Sequence, residues 1–96
     1  MVIWSDPAKK ELKAIYDYIA EDSKIYAKKV VNSIIEKTDY IDNFPKCGRI
    51  VPEIENENIR ETFIYSYRLI YEITEKHIEI IALIHGKRDY PKFMNK

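Results

Sequence analysis

The chain has 96 residues, of which 46% are hydrophobic and 33% charged, with 16 basic and 16 acidic side chains and no net charge at pH 7. This length supplies one hydrophobic core and therefore one domain, residues 1–96, and the apolar-to-charged balance excludes a disordered chain. Neutrality argues against a protein that coats polyanions indiscriminately, and the longest aliphatic run, Ile80 to Ile84, falls far short of the about 20 residues needed to cross a bilayer.

Val2-Ile3-Trp4 is short, apolar and β-prone, and is expected to form a strand. No basic stretch or long apolar stretch accompanies it, so the sequence predicts no secretory signal and a cytoplasmic protein. Asp6-Pro7 then starts a helix, with Asp6 as the cap and Pro7 at a first-turn position that tolerates it. Ala8, Leu12, Ile15, Tyr16 and Ile19 recur at helical spacing, opposite Lys9, Lys10, Lys13 and Asp17, and the helix ends near Glu21-Asp22. Ser23 caps a second helix with the stripe Ala27, Val30, Val31, Ile34, Ile35, Ile41. The break is short, so the two helices form an antiparallel hairpin. Phe44 to Gly48 ends the second helix, and a polar loop runs on through Asn58.

From residue 59 the pattern turns to strands. Ile59 to Tyr65 and Tyr67 to Thr74 are rich in β-branched and aromatic residues. In the second, Tyr67, Leu69, Tyr71 and Ile73 share one face, and Arg68, Ile70 and Glu72 the other. After a tight connection at Glu75-Lys76, Ile78 to Ile84 is apolar on both faces, as suits a central strand. The order is β-α-α-β-β-β. It predicts an α+β domain with an N-terminal strand and an antiparallel helical hairpin on one face of a small, mainly antiparallel sheet.

Few residues stand out chemically. Pairing the last two strands across Glu75-Lys76 sets Arg68 opposite position 83 and puts His85 one step further on the same, open face. A histidine that titrates near neutrality beside an arginine can move a proton on a phosphate ester. The plainer alternative is a strand-end histidine, with Arg68 paired to Glu72 or Glu53. Arg60 and Glu61 face opposite ways, so one of them shares the open face with Arg68, most simply in a cross-strand salt bridge. Glu53 lies in the loop and matters only if that loop folds toward His85.

All four arginines (Arg49, Arg60, Arg68, Arg88) fall in the second half, and the final segment around Lys87, Arg88 and Tyr90 is basic. It is either a local anion or base contact or a solvated tail. A lone cysteine, Cys47, permits no intrachain disulfide, and with two histidines it makes too few ligands for structural zinc. No metal or other cofactor is expected.

Three segments in this order, Pro45-x-x-Gly48-Arg49-x-Val51-Pro52-Glu53, Arg60-Glu61-(x)5-Tyr67-Arg68-Leu69-Ile70-Tyr71 and Ile84-His85-Gly86-Lys87-Arg88, resemble the RelE/ParE superfamily of type II toxins. The opening Trp4-Ser5-x-x-Ala8-(x)3-Leu12 looks like that family's first strand and helix. The Gly-Arg-x-Val-Pro-Glu and His-Gly-Lys-Arg segments point to the ParE-like, or plasmid stabilization, branch. The resemblance implies a cytoplasmic toxin neutralised by a cognate antitoxin that wraps an extended, partly helical segment around it. It implies DNA gyrase as target, bound without bond-breaking, with Arg60, Lys87, Arg88 and Tyr90 as contact residues.

A ribonuclease branch of the superfamily implies instead metal-independent cleavage of mRNA on the translating ribosome, with Glu53, Arg68 and His85 as the catalytic set. Gly86 stands where that branch carries a tyrosine, and the neutral charge departs from its basic character. A third alternative is an inert member kept for antitoxin binding. A homodimer of the free chain is left open, and no membrane partner is expected.

Overall fold

In the computed structural model, residues 1–85 are described, with the His85 side chain excluded; the predicted contacts of Lys87, Arg88 and Tyr90 lie outside them. The elements are β1 (Val2–Trp4), α1 (Asp6–Ala20), α2 (Lys24–Asn43), a 3-10 turn at Pro45–Cys47, β2 (Arg49–Ile50), β3 (Ile59–Ile64), β4 (Tyr67–Ile73) and β5 (Ile78–His85). They form one five-stranded sheet in the order β1-β5-β4-β3-β2. β1 runs parallel to β5, and the other neighbours are antiparallel. The α+β class, the helical hairpin and the mainly antiparallel sheet match the sequence expectation.

Local chemistry explains the boundaries, with two differences. The α1 cap is Ser5, one residue before the expected Asp6: its Oγ accepts from the Ala8 N–H at 3.2 Å while Asp6 and Pro7 occupy the first turn. Ser23 caps α2 as expected, accepting from Tyr26 N–H at 3.1 Å. The second difference is β2, two residues inside the stretch read as loop. It is too short to show an alternating pattern, and it exists because it pairs with β3, Arg49 to Glu61 and Ile50 to Arg60.

The helices cover one sheet face. Ala8 and Ile15 of α1 and Val30, Ile34 and Ile41 of α2 pack on Leu69, Tyr71, Ile78, Ile80 and Leu83. This is the face the β4 alternation assigned to Tyr67, Leu69, Tyr71 and Ile73. The other face carries a smaller cluster of Val51, Ile70, Ala82 and Ile84, with Ile54 and Ile59 against it. The segment after β2 therefore folds back across the sheet and closes the face expected to be open.

Candidate functional site

The register of β4 on β5 decides which residues can meet. From Ile73↔Ile78 to Tyr71↔Ile80 it runs as the tight connection demands, and it then shifts, so that Ile70 pairs with Ala82. Ile81 is the extra residue of a β-bulge. Arg68 consequently lies opposite Ile84 and not position 83, and His85 pairs with Tyr67. One inserted residue exchanges the faces of everything beyond it. Arg68 and His85 thus occupy positions on opposite faces, and the expected Arg68–His85 pairing on one open surface is corrected.

Arg68 instead sits beneath the folded-back loop, with its side chain 7% exposed. Its Nη2 donates to both carboxylate oxygens of Glu53, at 2.7 and 2.9 Å. Its Nε donates to Oε1 of Glu61 at 2.5 Å. Glu61 is fully buried, and its other oxygen accepts from Nε of Arg49. The result is a four-membered chain, Arg49–Glu61–Arg68–Glu53, joining β2, β3, β4 and the loop. Of the two residues at 60 and 61, Glu61 is the one sharing a face with Arg68, as the alternation allowed, and the predicted alternative of an Arg68–Glu53 pair is present.

These contacts set the charges. The hydrogen bond from Arg68 is the main reason the Glu53 carboxyl lies below its ordinary 4.5, against a smaller opposing effect of burial. Burial works against the Arg68 cation, but the bonds to Glu53 and Glu61 outweigh it and hold its pKa above the ordinary value. A group with a depressed folded pKa stabilises above its unfolded pKa and loses that contribution as pH falls through the folded one. Stability should therefore drop on the acid side below the ordinary glutamate range. Glu53→Gln should flatten that part of a urea-midpoint-against-pH curve, and an unchanged curve would remove Glu53 from this role.

A second polar cluster fixes the way into β2. The Tyr71 hydroxyl donates to the Pro45 carbonyl at 2.7 Å and accepts from the Gly48 N–H at 2.9 Å. Burial is the main cause that pushes its pKa up to about 12, so it stays a neutral phenol able to do both. Gly48 has no room for a side chain: a Cβ would lie 2.6 Å from the Glu61 carbonyl oxygen and 2.7 Å from the Tyr71 hydroxyl oxygen.

Arg60, expected to contact a partner, spends its guanidinium on backbone: Nη1 on the Gly48 carbonyl at 3.0 Å and Nε on the Glu57 carbonyl at 2.9 Å. Cys47 is exposed, and among the described residues no group of three or more metal-ligating side chains occurs. Among the described residues no helix is long and apolar enough to cross a membrane.

The chain has a counterpart in a known family. The model for the ParE toxin of type II toxin–antitoxin system, parDE, matches residues 2–90. The chain belongs to the ParE toxin family. A solved chain from the chromosomal ParDE TA system of P. aeruginosa shares the fold, with a TM-score of 0.74 over 90% of this chain and 95% of that one, at 22% identity. No curated protein matches in sequence.

Within the ParE-like frame, the sequence reading missed Glu61 as the hub and Arg49 as its second partner. The signal was present. A two-residue turn at Tyr65-Ser66 pairs Ile64 with Tyr67 and Phe63 with Arg68, which makes Glu61 the diagonal neighbour of Arg68. Tyr65 takes the positive φ of 55° that such a turn requires.

Proposed function

We propose that this ParE-family chain arrests growth in the cytoplasm by binding its target, a gyrase-type topoisomerase, and that a cognate antitoxin neutralises it. The observation that supports binding over catalysis is the state of Arg68. A cation that stabilises a phosphorane must be presented to the substrate. Arg68 is buried and committed to Glu53 and Glu61.

The second reading, ribosome-dependent mRNA cleavage, is favoured by one observation: Glu53 and Arg68, two of the three residues it needs, are in direct contact. Against it, His85 holds a register position on the other face.

The test runs both assays on the purified chain. The expected result is loss of gyrase supercoiling with a translated reporter mRNA left intact. New 3′ ends at codon positions, abolished by Glu53→Gln, would overturn the proposal in favour of the nuclease. Glu53→Gln is the informative variant, because Arg68→Ala removes the buried partner of Glu61 and confounds activity with folding.

A further inference from the structure

On one side the sheet ends at β1. This strand pairs with β5 along one edge and has no strand on the other among the described residues. Its backbone bonds fix which groups look outward. The Met1 carbonyl accepts from Ile78 N–H at 2.9 Å, and Ser5 N–H donates to the Ile80 carbonyl at 3.0 Å. Successive residues of a strand turn their N–H and C=O to opposite sides. Residues 1, 3 and 5 therefore face β5, and Val2 and Trp4 turn their main-chain groups to the bare edge.

Edge strands are commonly blunted by a charge, a proline or a bulge. β2, at the far end of the sheet, carries Arg49 in its two residues. β1 is Val-Ile-Trp and has none of these devices. Val2 and Trp4 lean on the helix-side core, while Ile3, on the alternate face, is 42% exposed. Beside the strand lies an open groove of about 490 Å³ lined by Val2, Ile3, Trp4, Lys9, Leu12 and Ile35.

Charge is divided between the two ends of the strand. Lys9 stands at the Trp4 end, where its N–H donates to the Ser5 carbonyl, and its ammonium has no ion pair among the described residues. Asp42 stands at the other end, where it accepts from the Met1 ammonium at 2.7 Å. The chain has no net charge, so no long-range repulsion opposes the approach of a second copy.

These features complement themselves across a two-fold axis. Antiparallel pairing of two β1 edges, centred on Ile3, sets Val2 of one copy opposite Trp4 of the other, and each such pair exchanges both main-chain hydrogen bonds. Ile3 meets its own copy as a non-hydrogen-bonded pair, about 4.5 Å apart at Cα. The axis stands perpendicular to the sheet, so both helical hairpins lie on the same side and each groove faces its counterpart. Because the strands run in opposite directions, Lys9 of each copy arrives beside Asp42 of the other.

We propose that the β1 edge is an interface between two copies of this chain, which joins their sheets into one. An unrelated strand could use the backbone groups, but the reversal of charge along the edge and the isoleucine at its centre match this chain itself. The inference stands apart from the toxin reading.

Sedimentation equilibrium of the purified full-length chain from about 1 μM to about 1 mM should show the mass passing from one chain to two. Amide exchange at Val2 and Trp4 should slow by about tenfold over that range, while Ile3, already turned to β5, is unchanged. Ile3→Lys sets two like charges on the axis and should raise the dimer dissociation constant by about tenfold. Lys9→Glu and Asp42→Lys should each weaken self-association by about fivefold, and their equimolar mixture should restore it, because the mixed pair again joins opposite charges at both contacts. Mixing does not rescue a variant that has lost its fold, so this arm separates the interface from stability. A single-chain mass at millimolar concentration overturns the proposal. A dimer that leaves Val2 and Trp4 unprotected, or that survives Ile3→Lys, overturns it too by placing the contact elsewhere, as does a mixture no tighter than its components. A chain that pairs here without arresting growth keeps this inference and loses the toxin reading, and a strict monomer that arrests growth does the reverse.

Discussion

Arg68→Met should cost about 3–5 kcal/mol of folding stability, the largest loss expected from any charged residue described above. The side chain is 7% exposed and its partner Glu61 is fully buried. Methionine fills the volume but leaves the Glu61 carboxylate with Arg49 alone, and Arg49 is 64% exposed. It also releases Glu53 and with it the loop that packs Ile54 on the second apolar cluster. In a chain of this size each kilocalorie is worth about 4–8 °C in Tm, so thermal unfolding reads the effect directly. Replacing Arg68 and Glu61 together by methionines should recover much of the loss, since no charge is then buried alone. A single-variant loss under about 1 kcal/mol would mean that water reaches Glu61 and that the four-membered chain is not a buried network.

Gly48→Ala should cost about 3 kcal/mol, from crowding and not from backbone conformation. Gly48 sits at φ −80° and ψ 160°, where any residue is comfortable. The obstacle is what surrounds it, the Glu61 carbonyl and the Tyr71 hydroxyl, both closer than a Cβ allows. Either β2 lifts from β3 or Tyr71 gives up its bonds to Pro45 and Gly48. Urea unfolding measures the loss, and amide exchange distinguishes the two routes: faster exchange confined to Gly48 follows Tyr71, while faster exchange at Val51, which bonds Ile59, follows β2. A neutral Gly48→Ala would show that the approach of these three groups is not tight.

The architecture was legible because its signals are periodic. Ala8, Leu12, Ile15 and Ile19 specify a helix face, Tyr67, Leu69 and Tyr71 a strand face, and the helical hairpin follows from the short break at Ser23. The site was legible only in part. Alternation does not report a bulge, because Ile81 is as apolar as its neighbours and its insertion leaves the composition of the strand unchanged. Every residue beyond it then changes face, which is why Arg68 and His85 separate. Nor does a loop of Pro52 to Asn58, polar throughout apart from Ile54, announce that it folds back over a sheet. It does so because Glu53 finds Arg68 and because Ile54 and Val51 find Ile70 and Ala82, contacts between residues well separated in sequence.

The placement of β1 bears on when the molecule exists at all. The first strand made, Val2–Trp4, pairs with Ile78–Ile80 of the last, and Ser5, the cap of α1, donates from its backbone to Ile80 and from its hydroxyl to Ile81. The N-terminal end of the helical hairpin is thus anchored on residues synthesised some 75 positions later, a long-range closure that slows folding. A chain growing from its N-terminus can build the hairpin early but cannot complete the sheet until β5 has emerged. Translation products that stop short of β5 therefore hold the helical hairpin without the assembled sheet and the contacts that depend on it.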